Sequence, residues 1–211
     1  HYALQLHEKE RAVIEEAKKC TDKHIVIINS DNVMEIGELK DDPEIDAILQ
    51  VGGTGVYGLY GVANVITGET SPSGHLVDTY AYSNFSSPAS QNYGDFSFSN
   101  YDHTYVVYQE GIYVGYKYYE TRYEDAVMGQ GNAVSAAGAV NSEGDWNYQQ
   151  EIVYPFGYGL SYTEFTQKIT DVSWDTENRT VTVTVDVKNI GDYDGKSVVE
   201  LYAQTPYTEY D

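Results

Sequence analysis

Gly53-Thr54-Gly55-Val56-Tyr57-Gly58 reproduces the spacing G-x-G-x-x-G, and Asp78 follows twenty residues after the last of these glycines. Glycines so spaced let a backbone approach a pyrophosphate whose charge the next helix N-terminus stabilises, while an acid about 20 residues on binds a ribose. The pattern lies between an apolar run, Asp46 to Val51, and a helical one, Val56 to Thr67, as such a site requires. Two features weigh against a nucleotide. Asp78 falls inside an expected strand, His75 to Tyr80, instead of at its end. The interval to the loop after Tyr80, about 30 residues, is also too short for two mononucleotide-binding halves. The plainer reading is a tight turn from strand into helix.

Other reactive side chains are dispersed. His1, His7, His24, His75 and His103 never recur at metal-ligand spacing, and the single cysteine, Cys20, supplies neither a cluster nor an internal disulfide. His7 is expected on a helix surface and His24 and His75 at strand edges. Cys20, at a helix end, reads as a small buried apolar residue and not as a nucleophile. No G-x-S-x-G elbow supports a serine hydrolase. Glycoside cleavage needs two carboxylates. Glu15-Glu16, Asp41-Asp42 and Glu124-Asp125 are neighbouring acids, but with 33 Asp and Glu the spacing alone does not choose among them. No metal or cofactor is expected.

The elements that would position these groups follow from periodicity. Residues 4–19 place Leu4, Leu6, Val13, Ile14 and Ala17 near one face, which predicts an amphipathic helix. His24 to Asn29 and Asp46 to Val51 are short apolar runs, expected as strands covered on both faces. Helices alternating with such strands predict an α/β sandwich with a largely parallel sheet. Residues 83–102 and 129–145 read as long loops, and Thr104 to Tyr119 as extended chain. After Phe165 the texture changes: Thr180 to Lys188 alternates Val with polar residues, flanked by Ile169 to Trp174 and Ser197 to Ala203 as further strands. These predict the opening strands of a β-sandwich. The domains expected are therefore 1–165 and 166–211.

Composition narrows the partners. The 211 residues carry a net charge of −21, which repels phosphate backbones and anionic lipid, so neither nucleic acid nor a membrane surface is an expected partner. There is no transmembrane run. The 22 Tyr against 5 Phe suit strand surfaces and also polyhydroxylated ligands. A non-catalytic carbohydrate-binding module, with exposed Tyr and Trp146 stacking on sugar rings, is one reading of that bias.

Four blocks carry a more specific signal. They are VGGTGVYGLYGVANVITGETSPSGHLVDTY (Val51 to Tyr80), YQEGIYVGYKYYETRYED (Tyr108 to Asp125), YPFGYGLSYTEF (Tyr154 to Phe165) and VTVDVKNIGDYDGKSVVELYAQ (Val183 to Gln204). In this order they resemble the C-terminal half of family 3 glycoside hydrolases, the β-glucosidase family. The resemblance implies an α/β sandwich domain that follows a TIM barrel and precedes a fibronectin type III-like domain. The turn Pro72 to Gly74 and the segment Pro155 to Thr163 are its signatures; His75 departs from it, standing where the family usually carries Arg. The resemblance further implies retaining hydrolysis of β-linked sugars without cofactor. The nucleophile Asp would lie on the upstream barrel and the acid/base Glu in a loop before His1, so no residue of this chain receives a catalytic role and its substrate-binding residues are left open.

Overall fold

The computed structural model describes residues 4–91, 96–97, 99–100, 102, 104–108, 110–129, 140–141 and 144–205. His1, His103 and most of the expected 129–145 loop lie outside them. The chain packs as two units. One comprises the described residues within 1–53, 76–156 and 205–211, and the other residues 54–75 and 157–204.

The first unit opens on α1 (Glu8–Lys18). The sequence places His7 before Glu8 and Glu10 three positions on, and this sets a capping box: His7 Nδ1 accepts from Lys9 N–H, while the Glu10 carboxylate accepts from His7 N–H at 2.7 Å. His7 is thus the helix cap and not a mid-helix surface residue, and the helix starts four residues later than its apolar periodicity suggests. β1 (Ile25–Ile28) and β2 (Ala47–Gln50) pair in parallel, Ile25 opposite Ala47 through Ile28 opposite Gln50. The expectation of strands covered on both faces is corrected. Ile28 is buried, but Ile25 and Ile27 are 48% and 46% exposed, so β1 is covered on one face only.

A short helical turn, α2 (Gly37–Lys40), buries Leu39 beside Leu6, Ile28, Ile36, Tyr80 and Val153 to form the main core. At the C-terminus of α1, Lys18 forms ion pairs with Glu15 at 2.8 Å and with Asp42. The hydrogen bond from Lys18 holds the Asp42 carboxyl below the usual carboxylate range and raises the lysine above its own.

The strand expected over residues 75–80 reduces to β3 (Tyr80–Ala81), antiparallel to a later strand, β6 (Ile152–Tyr154). Residues 83–102 are not simply loop. They hold a 3-10 turn at Asn84–Ser86, the helical turn α4 (Pro88–Gln91) and β4 (Phe96–Ser97), which pairs with β5 (Thr104–Tyr105). The extended reading of 104–119 fails at its end, because Tyr116–Tyr123 is a helix, α5, entered at Gly115 with φ +58°. A last helical turn, α6 (Tyr148–Glu151), runs straight into β6. Of the four two-stranded ladders among the described residues, β1–β2 is parallel and the other three are antiparallel, so the sheets are small and mixed.

The second unit contains α3 (Gly58–Ile66) and a hairpin of β7 (Phe165–Asp175) and β8 (Thr180–Asn189). A bulge at Thr170 sets two residues of β7 against Thr184. The extra residue matters because strand side chains alternate faces. It brings Ile169, Val172 and Trp174 onto one face, opposite Val185, Val183 and Val181. Asp175 closes the hairpin by accepting from the backbone N–H and the side-chain amide of Asn178 and from the Glu177 N–H, which lowers its pKa. Residues 197–203, expected as a strand, form no ladder; Ser197 and Val198 instead accept hydrogen bonds from the Gln167 side chain.

Candidate functional site

The glycine pattern is a turn. β2 ends at Gln50, Gly52 and Gly55 have φ of +56° and +59°, and the Gly53 N–H donates to Asp31 Oδ1 at 2.8 Å. Asp31 belongs to the segment that follows β1. Its carboxylate occupies the donor a pyrophosphate would need, and its charge would repel that pyrophosphate. α3 begins only at Gly58, and its N-cap Tyr57 offers no side-chain bond. Asp78 is exposed and lies outside any strand, two residues before β3.

The other candidates are held by structural partners. His24 Nδ1 lies 2.8 Å from the Glu44 carbonyl oxygen, and His75 Nδ1 lies 3.1 Å from that of Ser73. Cys20 is exposed, which corrects its expected burial, because α1 ends there against solvent. Glu16 pairs with Lys19, and Asp41 accepts from the Tyr82 hydroxyl at 2.9 Å. Glu124 and Asp125 lie on the π-helical turn Glu124–Met128 that continues α5. No three described His, Cys, Asp or Glu side chains are placed to hold a metal ion.

What the spacing did not reveal is the cluster built by α5. Tyr118, Tyr119 and Arg122 are buried with Ala81, Trp146 and Ile152. Trp146 is 5% exposed, with the Arg122 guanidinium 5.6 Å from its ring centroid, so it is not available to stack on a sugar. That removes the anchor of the carbohydrate-binding-module reading. Glu151 is fully buried and its carboxylate accepts from the Asn141 N–H at 2.8 Å. Burial raises the Glu120 carboxyl, opposed by a hydrogen bond donated by Tyr148 Oη at 2.8 Å. The Tyr119 hydroxyl, 2.8 Å from Ser86 Oγ, is pushed up to about 12, chiefly by burial. A helical signal existed in Tyr118, Tyr119, Arg122 and Tyr123, which recur at i, i+1, i+4 and i+5. The density of Tyr, a strand-favouring residue, masked it.

Beside this cluster lies a cavity of about 240 Å³, in which Asn32, Asp78, Thr79, Asn84, Ser87 and Ser90 supply the polar lining. Among the described residues, Asp78 is the one carboxylate in the lining. Retaining glycoside cleavage requires two, about 5–5.5 Å apart. As it stands the arrangement can hold a ligand by hydrogen bonds, and it does not present an acid–nucleophile pair.

In the second unit the two signature segments meet. Ser71 Oγ lies 2.8 Å from Ser161 Oγ and accepts from the Tyr162 N–H at 3.1 Å, while the Tyr162 hydroxyl donates to the Val65 carbonyl at 2.7 Å. Gly159 approaches so closely that a Cβ there would overlap the Gly74 carbonyl oxygen. These motifs therefore specify packing.

Residues 1–116 match the model of the glycosyl hydrolase family 3 C-terminal domain, and the chain belongs to that family. It is 33% identical over 197 residues to a β-glucosidase of Ruminococcus albus, covering 93% of this chain and 17% of that protein. It is 29% identical over 219 residues to β-glucosidase A of Butyrivibrio fibrisolvens, covering 98% of this chain and 23% of that one. Among solved structures, a β-glucosidase from Paenibacillus barengoltzii superposes with a TM-score of 0.64 at 28% identity, over 89% of this chain and 17% of the other. The chain thus spans less than a quarter of the length of these relatives. Its mixed α/β fold with small sheets is consistent with the family's C-terminal domain.

Proposed function

We propose that this chain is the C-terminal portion of a retaining β-glycosidase of β-glucosidase type that hydrolyses O-glycosyl bonds without a cofactor. Residues 1–165 form its α/β sandwich domain and residues 166–211 open a fibronectin type III-like domain. The nucleophile Asp belongs to an upstream TIM barrel and the acid/base Glu to a loop that precedes His1. The observation that carries this reading is the alignment of 93% of the chain with a β-glucosidase. Two structural features support it. Among the described residues the cavity lining holds one carboxylate, Asp78, which agrees with a carboxylate pair supplied from outside this chain. The bulge in β7 gathers Ile169, Val172 and Trp174 on one face, as a strand facing the interior of a two-sheet sandwich would.

In this role the chain frames one wall of the active site and presents the acid/base loop, without performing bond cleavage. Assays of aryl β-glucoside hydrolysis test the proposal. The full-length protein should turn over with β-configured sugar as the first-formed product, and the 211-residue chain alone should not. Turnover by the isolated chain at the full-length rate, abolished by replacing an acid within it, would overturn the assignment.

A further inference from the structure

The antiparallel ribbon of β4 and β5 has no part in the framing role just proposed. Its register sets Phe96 opposite Tyr105 and Ser97 opposite Thr104. Strand side chains alternate faces, so the two aromatic rings share one side of the ribbon and the two hydroxyls the other. The rings stack on each other, with centroids 5.6 Å apart and planes 26° from parallel, yet each residue stays 39% exposed. Val106, next in the chain, is 43% exposed. The rings of the α5 cluster, in contrast, are buried or half-buried. A two-stranded ribbon is marginal by itself. Holding two rings side by side in water costs rotamer freedom and leaves apolar surface hydrated, and a ligand laid on the rings would offset part of that cost.

Size and charge narrow the ligand. Two aromatic residues exposed to this extent offer on the order of 150 Å² together. A stable protein partner needs roughly 800 Å² from each side, so a single small ring matches the patch and a folded domain does not. Phe96, Ser97, Thr104, Tyr105 and Val106 are uncharged, and the net charge of −21 disfavours an anion. Asp102 is the one acid or base among the described residues from 96 to 106, and it lies between the strands. A pyranose meets these conditions, being neutral, with an apolar C–H face and hydroxyls at its rim. Tyr and Phe offer that face broad, rigid contact area with only two side-chain torsions to fix. Ser99 and Asn100, both exposed, follow β4 in sequence and can donate and accept hydrogen bonds, as a hydroxyl rim requires.

We propose that Phe96 and Tyr105 form a stacking platform for one neutral sugar ring of an oligosaccharide. The choice of a glucose oligomer as probe rests on the β-glycosidase reading; the requirement for a flat, neutral ring rests on the ribbon itself.

The test uses the full-length protein carrying this chain, with 3-fluorotyrosine placed at position 105 alone so that its fluorine signal needs no assignment. A sulfur-linked β-glucotetraose, chosen because it resists hydrolysis, should move that signal saturably. Phe96→Ala should weaken the titration about three- to tenfold, and Phe96→Tyr, which keeps a ring there, should titrate like the parent. An unmoved or non-saturating signal overturns the proposal, and so does a Phe96→Ala protein that titrates like the parent. A signal that a soluble paramagnetic agent fails to broaden also overturns it, since the rest of the protein would then cover the ring. Tetramethylammonium moving the signal where the tetraose does not would make the platform a cation site, and the proposal would fall. Aryl β-glucoside hydrolysis by the same sample separates the two ideas. Turnover with a silent signal sinks the platform alone, and a saturable shift in an inactive protein sinks the hydrolase reading alone.

Discussion

Replacing Gly159 by Ala tests whether the two signature segments act through packing. An added methyl at Gly159 would meet the Gly74 carbonyl oxygen, with the His75 ring 3.2 Å away. The obstacle is backbone, so it cannot rotate aside as a side-chain tip could. Forcing a methyl into a filled contact costs about 1–3 kcal/mol, or a melting temperature lower by about 2–12 °C for a chain of this size. Separation of the segments would also weaken the bonds that Ser71 makes to Ser161 and Tyr162. Gly61→Ala is the internal control. Gly61 lies within α3, has ordinary helical backbone and has nothing within 4 Å of its would-be Cβ. There the change should stabilise by about 0.5–1 kcal/mol, raising the melting temperature by about 1–4 °C. Thermal unfolding followed by circular dichroism reads both. A Gly159→Ala chain that melts no lower than its parent, or two substitutions that shift the melting temperature in the same direction, would show that the Gly159–Gly74 contact does not limit packing.

Glu120→Gln should stabilise the chain at neutral pH by less than about 1 kcal/mol, after allowing for solvent screening. The folded carboxyl is raised by burial, so its charged form is disfavoured above that raised pKa; the gain should fade as pH falls below the unfolded value of about 4.3. Urea midpoints at a series of pH values check this, and a gain that persists in acid would contradict it. Lys18→Met should lower the urea midpoint between about pH 4 and pH 10 and matter less outside that window. Asp42 is depressed in the folded state, so its contribution is lost as pH falls through its folded pKa; Lys18 is raised, so its contribution is lost as pH climbs through its own. An effect independent of pH would mean that Lys18 acts through packing of its stem instead.

Local patterns were readable wherever one residue type dominated a period. The Val alternation of Thr180 to Lys188 became β8, and the apolar runs at 24–29 and 46–51 became a parallel pair. The β7 bulge was readable in principle, since Phe165, Gln167 and Ile169 keep one parity and Val172 and Trp174 the other. Where the residues were ambiguous, local reasoning failed. Tyr116–Tyr123 is rich in a strand-favouring residue but forms a helix because that places Tyr118, Tyr119 and Arg122 together in a buried cluster. His75 to Asp78 looked like strand, but only Tyr80 and Ala81 find a partner, and that partner lies some seventy residues later in β6.

Motif order alone determined the family, because a succession of four irregular blocks is too specific to arise from periodicity. Sequence alone also made nucleic acid and anionic membrane surfaces unexpected as partners, through net charge, which is additive and needs no geometry. Only the tertiary structure decided what the individual residues do. It set Asp31 against the Gly53 N–H, buried Trp146 under Arg122, and brought Asn32, Thr79 and Ser90 to one cavity. Each of these depends on contacts between residues far apart in the chain, and such contacts are selected by burial and hydrogen-bond satisfaction across the whole unit, which no local window of residues records.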